Sequence, residues 1–213
     1  MQNPVIILGI KTLGIIALDI FQSNDVAIYG MLDENENKEN RPAEIDGISV
    51  LGNVHHEGYL KLIGNKCEAF VAIDDNEYKK NITEMLLKKR NTMPVNAIHA
   101  KAHLSHSASI GHGNLIAAGV YLQPQASIGH HCILHCRSII ETDVKIDNFV
   151  QIGAGAVIGA GVQIAEGAFI GAGANIVAGV QIGKNARIGA GSVVIDNVAP
   201  KQTVFGNPAK KVS

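Results

Sequence analysis

The sequence contains no tryptophan, and aromatic residues make up 4% of its 213 positions. Neither sign of charge predominates, because eighteen basic and nineteen acidic side chains leave a net charge of −1. A nucleic-acid-binding surface needs a basic patch and, for single strands, aromatic rings on which bases stack. This composition therefore argues against a nucleic-acid partner.

Cysteine is scarce, and the N-terminus lacks the features of a targeting segment. Cys67, Cys132 and Cys136 form no C-x-x-C pair, so neither a disulfide framework nor a cysteine-based metal site is expected. No cationic region precedes the first apolar run, and Asp19 interrupts that run after Leu18. This pattern argues against a signal peptide or a membrane-spanning helix, and we expect a cytoplasmic protein without a membrane partner.

A strict repeat fills the second half of the chain. An apolar residue recurs at every sixth position from Ile98 to Val194, and glycine often follows it. A helix (period 3.6) or a simple strand (period 2) does not give a repeat of six, whereas a short strand followed by a tight turn does. Three such hexads close one triangular coil, so residues eighteen apart stack on one corner. The repeat therefore predicts a parallel β-helix of roughly five coils, each burying its apolar residues against its neighbours.

The first half of the chain alternates between strand and helix patterns. Apolar runs predict strands, amphipathic stretches predict helices, and the order is strand 4–9, helix 11–22, strand 26–32, strand 69–73 and helix 76–90. This alternation predicts a small Rossmann-like domain with a parallel sheet. Pro94 blocks continuation of the last helix. We expect domains at residues 1–93 and 94–195, followed by a capping tail at 196–213 that reads as a loop.

Several segments resemble one bacterial enzyme family. The hexapeptide repeat resembles that of bacterial acyltransferases, whose coils wind left-handed. An α/β domain before such a repeat is the layout of the PglD/NeuD-type sugar acetyltransferases. The matching segments are MLD at 31–33, AIDDNE at 72–77, GAGSVV at 189–194 and FGNPAK at 205–210. The resemblance implies an N-terminal Rossmann-like domain that binds a nucleotide sugar, followed by a left-handed parallel β-helix acetyltransferase domain.

The resemblance also implies an activity. Members of the family use acetyl-CoA, and we expect N-acetylation of a nucleotide-linked (UDP or dTDP) 4-amino-4,6-dideoxy sugar by direct attack of its amine on the thioester. It further implies a homotrimer with active sites between adjacent β-helices, and no metal. Two alternatives remain open: O-acetylation of a sugar, as in NeuD-type members, and a non-catalytic trimeric scaffold.

The loop after the first strand departs from the family. The family's glycine-rich loop is reduced to GIKTLG at 9–14, with its outer glycines kept. A nucleotide diphosphate would meet Lys11 and the start of the next helix. Asp33, at the end of a strand, would contact a ribose or base, or would simply begin a polar loop. The candidate substrate-binding residues are Gly9, Ile10, Lys11, Thr12, Asp33, Asp74 and Asp75.

The catalytic segment departs from the family as well. The family's Ile-Glu-His-Asp/Glu segment, whose histidine is the base, corresponds to IETD at 140–143, so Thr142 occupies the base position and Gln151 replaces a second histidine. A neutral threonine does not accept a proton near pH 7. The imidazole of His135 titrates in that range and is the first candidate base. Asp143 or Glu141, a water relay, or no base at all are the alternatives, and His135 would then be a solvated corner residue.

Small residues near His135 suggest where acetyl-CoA lies. Residues 117, 153, 171 and 189 stack with position 135 at a spacing of eighteen and are all alanine or glycine. Such a column predicts a narrow groove for an extended pantetheine arm. The candidate cofactor-binding residues, interpreted as small outward corner residues, are Gly153, Ala160, Gly171, Ala172, Gly189 and Ala190. His112 and His130 are also eighteen apart, but no cysteine or carboxylate shares their spacing, so no metal site is expected.

Overall fold

The computed structural model describes residues 3–35 and 41–212. The chain forms two compact units, Met1–Ala100 and Lys101–Ser213. Among the described helices, none is long and apolar enough to cross a membrane.

The first unit is an α/β fold around a five-stranded sheet. Its elements are β1 (Val5–Leu8), α1 (Thr12–Ser23), β2 (Ile28–Asp33), β3 (Glu44–Ile45), β4 (Ile48–Asn53), α2 (Glu57–Leu60), β5 (Glu68–Val71), α3 (Asn76–Arg90) and β6 (Ala97–Ile98). The strand order is β3-β4-β2-β1-β5. Strands β1, β2, β4 and β5 are parallel, and β3 pairs antiparallel with β4. The predicted parallel α/β domain is confirmed, and the β3–β4 hairpin adds strands that the sequence did not predict.

The core of this unit follows from the apolar run in β1. All four of its residues are at most 1% exposed, as a central strand covered on both faces requires. Helix α1 buries Leu13, Leu18 and Phe21, and the Phe21 ring meets Phe70 of β5 edge to face at 5.7 Å. Burial of these side chains holds α1 against the sheet and so fixes the loop between β1 and α1.

The segment after α3 still belongs to the first unit. The Val95 amide donates to the Ala69 carbonyl at 2.8 Å, which extends the pairing beside β5. The Asn24 side chain donates to the Ile98 carbonyl at 2.6 Å and accepts from the Ala100 amide at 3.1 Å. Residues beyond the sequence-derived boundary at 93 are therefore hydrogen-bonded to the α/β unit as far as Ala100.

The second unit is a triangular β-helix with three flat sheets. The apolar face holds β7 (His103–Leu104), β10 (Tyr121–Leu122), β13 (Ile139–Ile140), β16 (Val157–Ile158), β19 (Asn175–Ile176) and β22 (Val193–Val194). The polar face holds β8 (Ser109–Ile110), β11 (Ser127–Ile128), β14 (Lys145–Ile146), β17 (Gln163–Ile164) and β20 (Gln181–Ile182). The hairpin face holds β9 (Leu115–Ile116), β12 (Ile133–Leu134), β15 (Gln151–Ile152), β18 (Phe169–Ile170), β21 (Arg187–Ile188), β23 (Thr203–Gly206) and β24 (Ala209–Lys211).

Coils stack in the predicted register. Ile140, for example, lies beside Leu122 on one side and Ile158 on the other, each eighteen residues away. From Leu122 to Val194 every sixth-position residue is at most 4% exposed, so these side chains form the continuous interior. Leu104 and Ile110 in the first coil are half-buried. The β-helix predicted from the repeat is confirmed.

The C-terminal tail continues the stack and is not a loop, contrary to the sequence interpretation. The Arg187 amide donates to the Gln202 carbonyl at 2.8 Å, and the Gly189 amide donates to the Val204 carbonyl at 2.9 Å. These bonds add β23 in parallel to β21, and β24 then folds back antiparallel through a turn with a cis Asn207–Pro208 peptide. The tail therefore covers the last coil of the hairpin face.

Three corners join the faces, and each is named by the faces that it joins. The hairpin–apolar corner contains residues 135–138 and their equivalents at a spacing of eighteen. The apolar–polar corner contains residues 141–144 and their equivalents, and the polar–hairpin corner contains residues 147–150 and theirs. A side chain's corner is thus fixed by its position within the eighteen-residue period.

Candidate active site

The first candidate region lies at the carboxyl edge of the parallel sheet in the α/β unit. The loops after β1, β2, β4 and β5 meet at this edge, where open α/β folds bind ligands. Five of the predicted substrate residues lie in these loops, Thr12 begins α1 and Asp33 ends β2, so the fold brings all seven to one edge of one sheet.

The two retained glycines have a packing role. Gly9 has φ +124°, and a Cβ there would lie 2.9 Å from the Ala72 carbonyl carbon. A Cβ at Gly14 would lie 2.8 Å from the Gly9 carbonyl carbon. Since either contact would force the backbone apart, both glycines are required for the close approach of α1 to the strands.

The loop between these glycines is bound by a carboxylate of the same chain. The Ile10 amide donates to Glu34 Oε2 at 2.9 Å, and Lys11 Nζ lies 3.2 Å from Glu34 Oε1. The Glu34 side chain is 8% exposed, whereas that of Lys11 is 65% exposed. The groups that the sequence assigned to a diphosphate are therefore engaged by Glu34. Thr12, the first residue of α1, is exposed beside them.

Asp33 is likewise engaged within the chain. Its carboxylate accepts from Arg41 Nε at 3.2 Å and from the Asn35 amide at 2.9 Å, and its side chain is 2% exposed. Asn53 Nδ2 donates to the Asp33 carbonyl at 3.1 Å. A carboxylate that is buried and ion-paired in this way ties Asn35 and Arg41 to the end of β2. Its predicted contact with a ribose or base stays a prediction that would require it to leave these partners.

Asp74 and Asp75 differ in their environments. Asp75 is the N-cap of α3, because its Oδ1 accepts from the Tyr78 amide at 2.7 Å. Asp74 is exposed at the same edge. The cap accounts for an aspartate at position 75 without a ligand, and Asp74 is the better placed of the two to meet one.

Side chains that the sequence analysis did not single out complete this edge. The Tyr78 hydroxyl lies 3.5 Å from the Glu34 carbonyl oxygen and 3.4 Å from His55 Nε2. Arg41 also donates from Nη2 to the Asn35 carbonyl at 2.9 Å. Glu34 directly follows Asp33 in the sequence. Its pairing with the loop after β1 was not predicted, because that pairing depends on how the parallel strands β1 and β2 align.

The second candidate region lies on the β-helix, where His135 occupies the hairpin–apolar corner. Its amide donates to the Ile152 carbonyl at 2.9 Å, its carbonyl accepts from the Ser138 amide at 3.2 Å, and it is partly buried. The neighbouring Cys136 is exposed. The backbone of His135 is thus fixed on both sides, which holds the imidazole at the rim of the corner.

The other candidate bases lie at the next corner. Glu141 and Thr142 are partly buried on the apolar–polar corner, and Asp143 is exposed there with φ +60°. The Thr142 carbonyl accepts from the Gly161 amide at 2.9 Å. Strand β13 of the apolar face separates this group from His135. One β-helix therefore presents the two sets of candidates on opposite borders of its apolar face.

The glycines and alanines assigned to acetyl-CoA separate into two groups. Gly153 and Gly171 are buried, contrary to their interpretation as outward residues. A Cβ on Gly153 would lie 2.7 Å from the Gly171 carbonyl carbon, so these glycines are required by contact between coils. Gly189 is half-buried, and a Cβ there would clash with the Phe205 ring, whose Cγ would lie 3.1 Å away. The exposed candidates are Ala160, on the apolar–polar corner, and Ala172 and Ala190, on the hairpin–apolar corner.

Two of the remaining histidines form a stacked pair. The rings of His112 and His130 stack at 5.6 Å, and His130 Nδ1 accepts from the His112 amide at 3.0 Å. Within the described residues, no cluster of three or more histidine, cysteine, aspartate or glutamate side chains has the geometry to hold a metal. Cys67 is buried, and burial raises the pKa of its thiol.

A cavity of about 450 Å³ lies on the polar face. Its lining includes Lys145, Gln163, Gln181 and Asn197, and it contains none of the predicted site residues. The candidate residues on the β-helix instead lie on the two borders of the apolar face.

A family model supports the repeat. The model of the bacterial transferase hexapeptide (six repeats) matches residues 137–172 and 161–196, within the β-helix. No curated relative matches the chain by sequence. The expected kinship with hexapeptide-repeat acyltransferases therefore depends on this match together with the structural comparisons.

Solved structures match over both units. A histidine mutant of GDP-perosamine N-acetyl transferase from Caulobacter crescentus, in complex with CoA and GDP-perosamine, superimposes with a TM-score of 0.89 at 25% identity, covering 100% of this chain and 98% of the other. The acetyltransferase domain of PglB from Neisseria gonorrhoeae FA1090, in complex with acetyl coenzyme A, matches with a TM-score of 0.88 at 23% identity and full coverage of both chains. WeeI from Acinetobacter baumannii AYE matches with a TM-score of 0.84 at 21% identity, covering 98% and 99%. These likenesses confirm the α/β unit followed by a left-handed β-helix.

Proposed function

We infer that this chain is a hexapeptide-repeat protein of the left-handed β-helix superfamily, with the layout of its sugar acetyltransferases. On that premise, we propose that it transfers the acetyl group of acetyl-CoA to the amine of a nucleotide-linked 4-amino-4,6-dideoxy sugar. The observation that carries this proposal is the likeness, over the whole chain, to an enzyme described as a GDP-perosamine N-acetyl transferase and solved with CoA and its nucleotide sugar. Perosamine is itself a 4-amino-4,6-dideoxy sugar.

The reaction requires a positioned amine and thioester. The amine nitrogen forms a bond to the thioester carbonyl carbon, the carbon–sulfur bond breaks, and the proton that leaves the nitrogen ends on the CoA sulfur. Proximity and stabilisation of the oxyanion supply most of the rate, and a base adds roughly 10²–10⁴-fold. A free amine is a better nucleophile than a hydroxyl. The absence of a histidine at position 142 therefore favours N-acetylation over O-acetylation.

The hairpin–apolar corner suits an extended acetyl-CoA. Coils are about 4.8 Å apart, so the corner runs about 14 Å from His135 to Gly189. Exposed Ala172 and Ala190 lie along this path and leave room for a pantetheine arm. At its far end Phe205 is 58% exposed, and β24 carries Lys210 and Lys211. An aromatic ring and two cations suit the adenine and phosphates, which would place the thioester near His135.

His135 is the proposed base of this reaction. It is the one candidate of the three whose ordinary pKa lies near neutrality, and its backbone is fixed by two hydrogen bonds. Asp143 and Glu141 on the other corner are the alternatives. In this assignment Thr142 contacts substrate without exchanging a proton.

A second copy of the chain completes the proposed site. Outward positions on the apolar face include Tyr121, Ile139, Val157 and Val193, whereas the polar face presents serine, lysine and glutamine. Tyr121 is 41% exposed, and burying such a row favours association. Copies packed through their apolar faces around a threefold axis would place the hairpin–apolar corner of one beside the apolar–polar corner of the next. A homotrimer would thus join His135 and Ala172 to the Glu141–Asp143 group.

The test measures thiol release from acetyl-CoA with UDP-, dTDP- and GDP-linked 4-amino sugars. We expect turnover by the wild type. His135→Ala and His135→Asn should each reduce kcat by two or more decades. His106→Ala, at an exposed histidine of the first coil, serves as the matched control.

Each result has a distinct meaning. Similar rates in the wild type and the His135 variants would exclude His135 and leave a carboxylate or a water relay. Turnover of sugar hydroxyls in preference to amines would contradict N-acetylation. No turnover with any acceptor, together with no binding of acetyl-CoA, would contradict the enzyme and support a scaffold.

A further inference from the structure

The loop after β1 contains an anion of the chain itself. Both carboxylate oxygens of Glu34 are used, one by the Ile10 amide at 2.9 Å and the other by Lys11 Nζ at 3.2 Å. Both side chains of a typical surface ion pair are solvated. In the Lys11–Glu34 pair, by contrast, the Glu34 side chain is only 8% exposed. The carboxylate is thus directed into the loop and away from solvent.

Helix α1 itself brings no negative charge to this position. Helix α1 has no acidic residue in its first turn and no side-chain hydrogen bond at its N-cap, Lys11. The Ile10 amide, the Lys11 ammonium and the positive end of α1 form a cradle that favours an anion. Glu34 supplies that anion from the end of the neighbouring strand.

The backbone around Glu34 is also held by hydrogen bonds. The Tyr78 hydroxyl lies 3.5 Å from its carbonyl oxygen. On one side Asp33 is fixed by Arg41, and on the other the Asn35 amide donates to Asp33 Oδ1. The backbone of Glu34 is therefore anchored, and its side chain is the part that can leave the cradle.

We propose that Glu34 is an internal competitor for the anionic part of the substrate, so that a nucleoside diphosphate gains the Ile10 amide and Lys11 only by displacing the Glu34 carboxylate. This inference rests on the proposed function, which supplies a nucleotide-linked sugar as the substrate. Lys11 would pair with the Glu34 carboxylate in the free protein and with the diphosphate in the complex. Glu34 would thereby set the affinity for the substrate and favour release of the acetylated nucleotide sugar.

The test measures Kd for UDP, dTDP and GDP, and for the corresponding amino sugars, by titration calorimetry on the full chain. Glu34→Gln removes the charge and keeps the shape, and Glu34→Ala empties the cradle. We expect Kd to fall by about tenfold or more in both variants, since the diphosphate no longer displaces a charge-assisted hydrogen bond. Lys11→Met should raise Kd, because it removes a cation that the diphosphate needs.

Glu84→Gln is the matched control, because Glu84 forms another lysine–glutamate pair of the same unit, 3.0 Å from Lys88 on α3. It should leave Kd unchanged. Unchanged or weaker nucleotide binding in both Glu34 variants would overturn the inference. If the wild type turns over an amino sugar while the Glu34 variants bind no tighter, the inference alone fails. If no variant binds any nucleotide, the inference and the nucleotide part of the proposed function fail together, whereas binding of acetyl-CoA would still support the acetyltransferase.

Discussion

Gly171 and Gly173 stand two residues apart and are glycine for different physical reasons. A Cβ on Gly171 would lie 2.5 Å from the Ala190 nitrogen in the next coil, which is closer than van der Waals contact allows. Gly173 has φ +66° and open space where a Cβ would stand. The first position is limited by packing between coils, and the second by the left-handed backbone of a turn.

Alanine at these two positions should therefore have unequal effects. Gly171→Ala forces two coils apart and should destabilise the protein by about 3 kcal/mol or more. Gly173→Ala should cost about 1–2 kcal/mol, the price of a left-handed non-glycine residue. Urea unfolding followed by circular dichroism measures both. Equal losses would show that the coils separate readily and that contact between coils does not explain the glycine at 171.

At the scale of elements, α3 explains one predicted ligand residue. The Asp75 carboxylate accepts from the Tyr78 amide at 2.7 Å and so caps the helix. Asp75→Ala should destabilise the α/β unit by about 1 kcal/mol, while Asp75→Ser should retain most of that stability because serine is also a good N-cap. Thermal unfolding measures the difference. If Asp75→Ser preserves stability but weakens nucleotide binding, Asp75 has a ligand role besides the cap.

Elements with a strong period were predictable from the sequence. The spacing of six gives the strands of the β-helix and their register, because each inward residue must be buried at every turn. Helix α3 has the predicted bounds of Asn76 and Arg90. The β3–β4 hairpin was missed because Ile48–Asn53 is short, contains Gly52 and follows a polar tract. The tail was read as a loop because its pairing with β21 has no repeat in sequence.

Site residues were predictable to a smaller extent. Their placement at the sheet edge and at the corners follows from element order and period, and this much could be read from the chain. The engagement of Lys11 by Glu34 could not, because it depends on how β1 and β2 align. Likewise, the burial of Gly153 depends on how closely adjacent coils approach, which the spacing of eighteen leaves open.

At the scale of the whole molecule, the proposed site would be shared between copies. His135 and Ala172 lie on one border of the apolar face, and Ala160 lies on the other. In a cyclic trimer every site would take one border from each of two copies. Loss of activity in one copy could therefore be compensated by its neighbour.

Mixing two inactive variants tests this arrangement. His135→Ala removes the proposed base on the hairpin–apolar corner, and Ala160→Trp should block the apolar–polar corner. In random trimers formed by co-expression at equal levels, about a quarter of the sites would combine two intact borders, so about a quarter of wild-type activity should return. Mixing His135→Ala with Ala172→Trp is the matched control, because both changes affect the same corner and no hybrid site is intact. No recovery in the first mixture would contradict a site shared between copies and would require each chain to complete its own. Recovery in the control would contradict the assignment of His135 and Ala172 to the same border of the site.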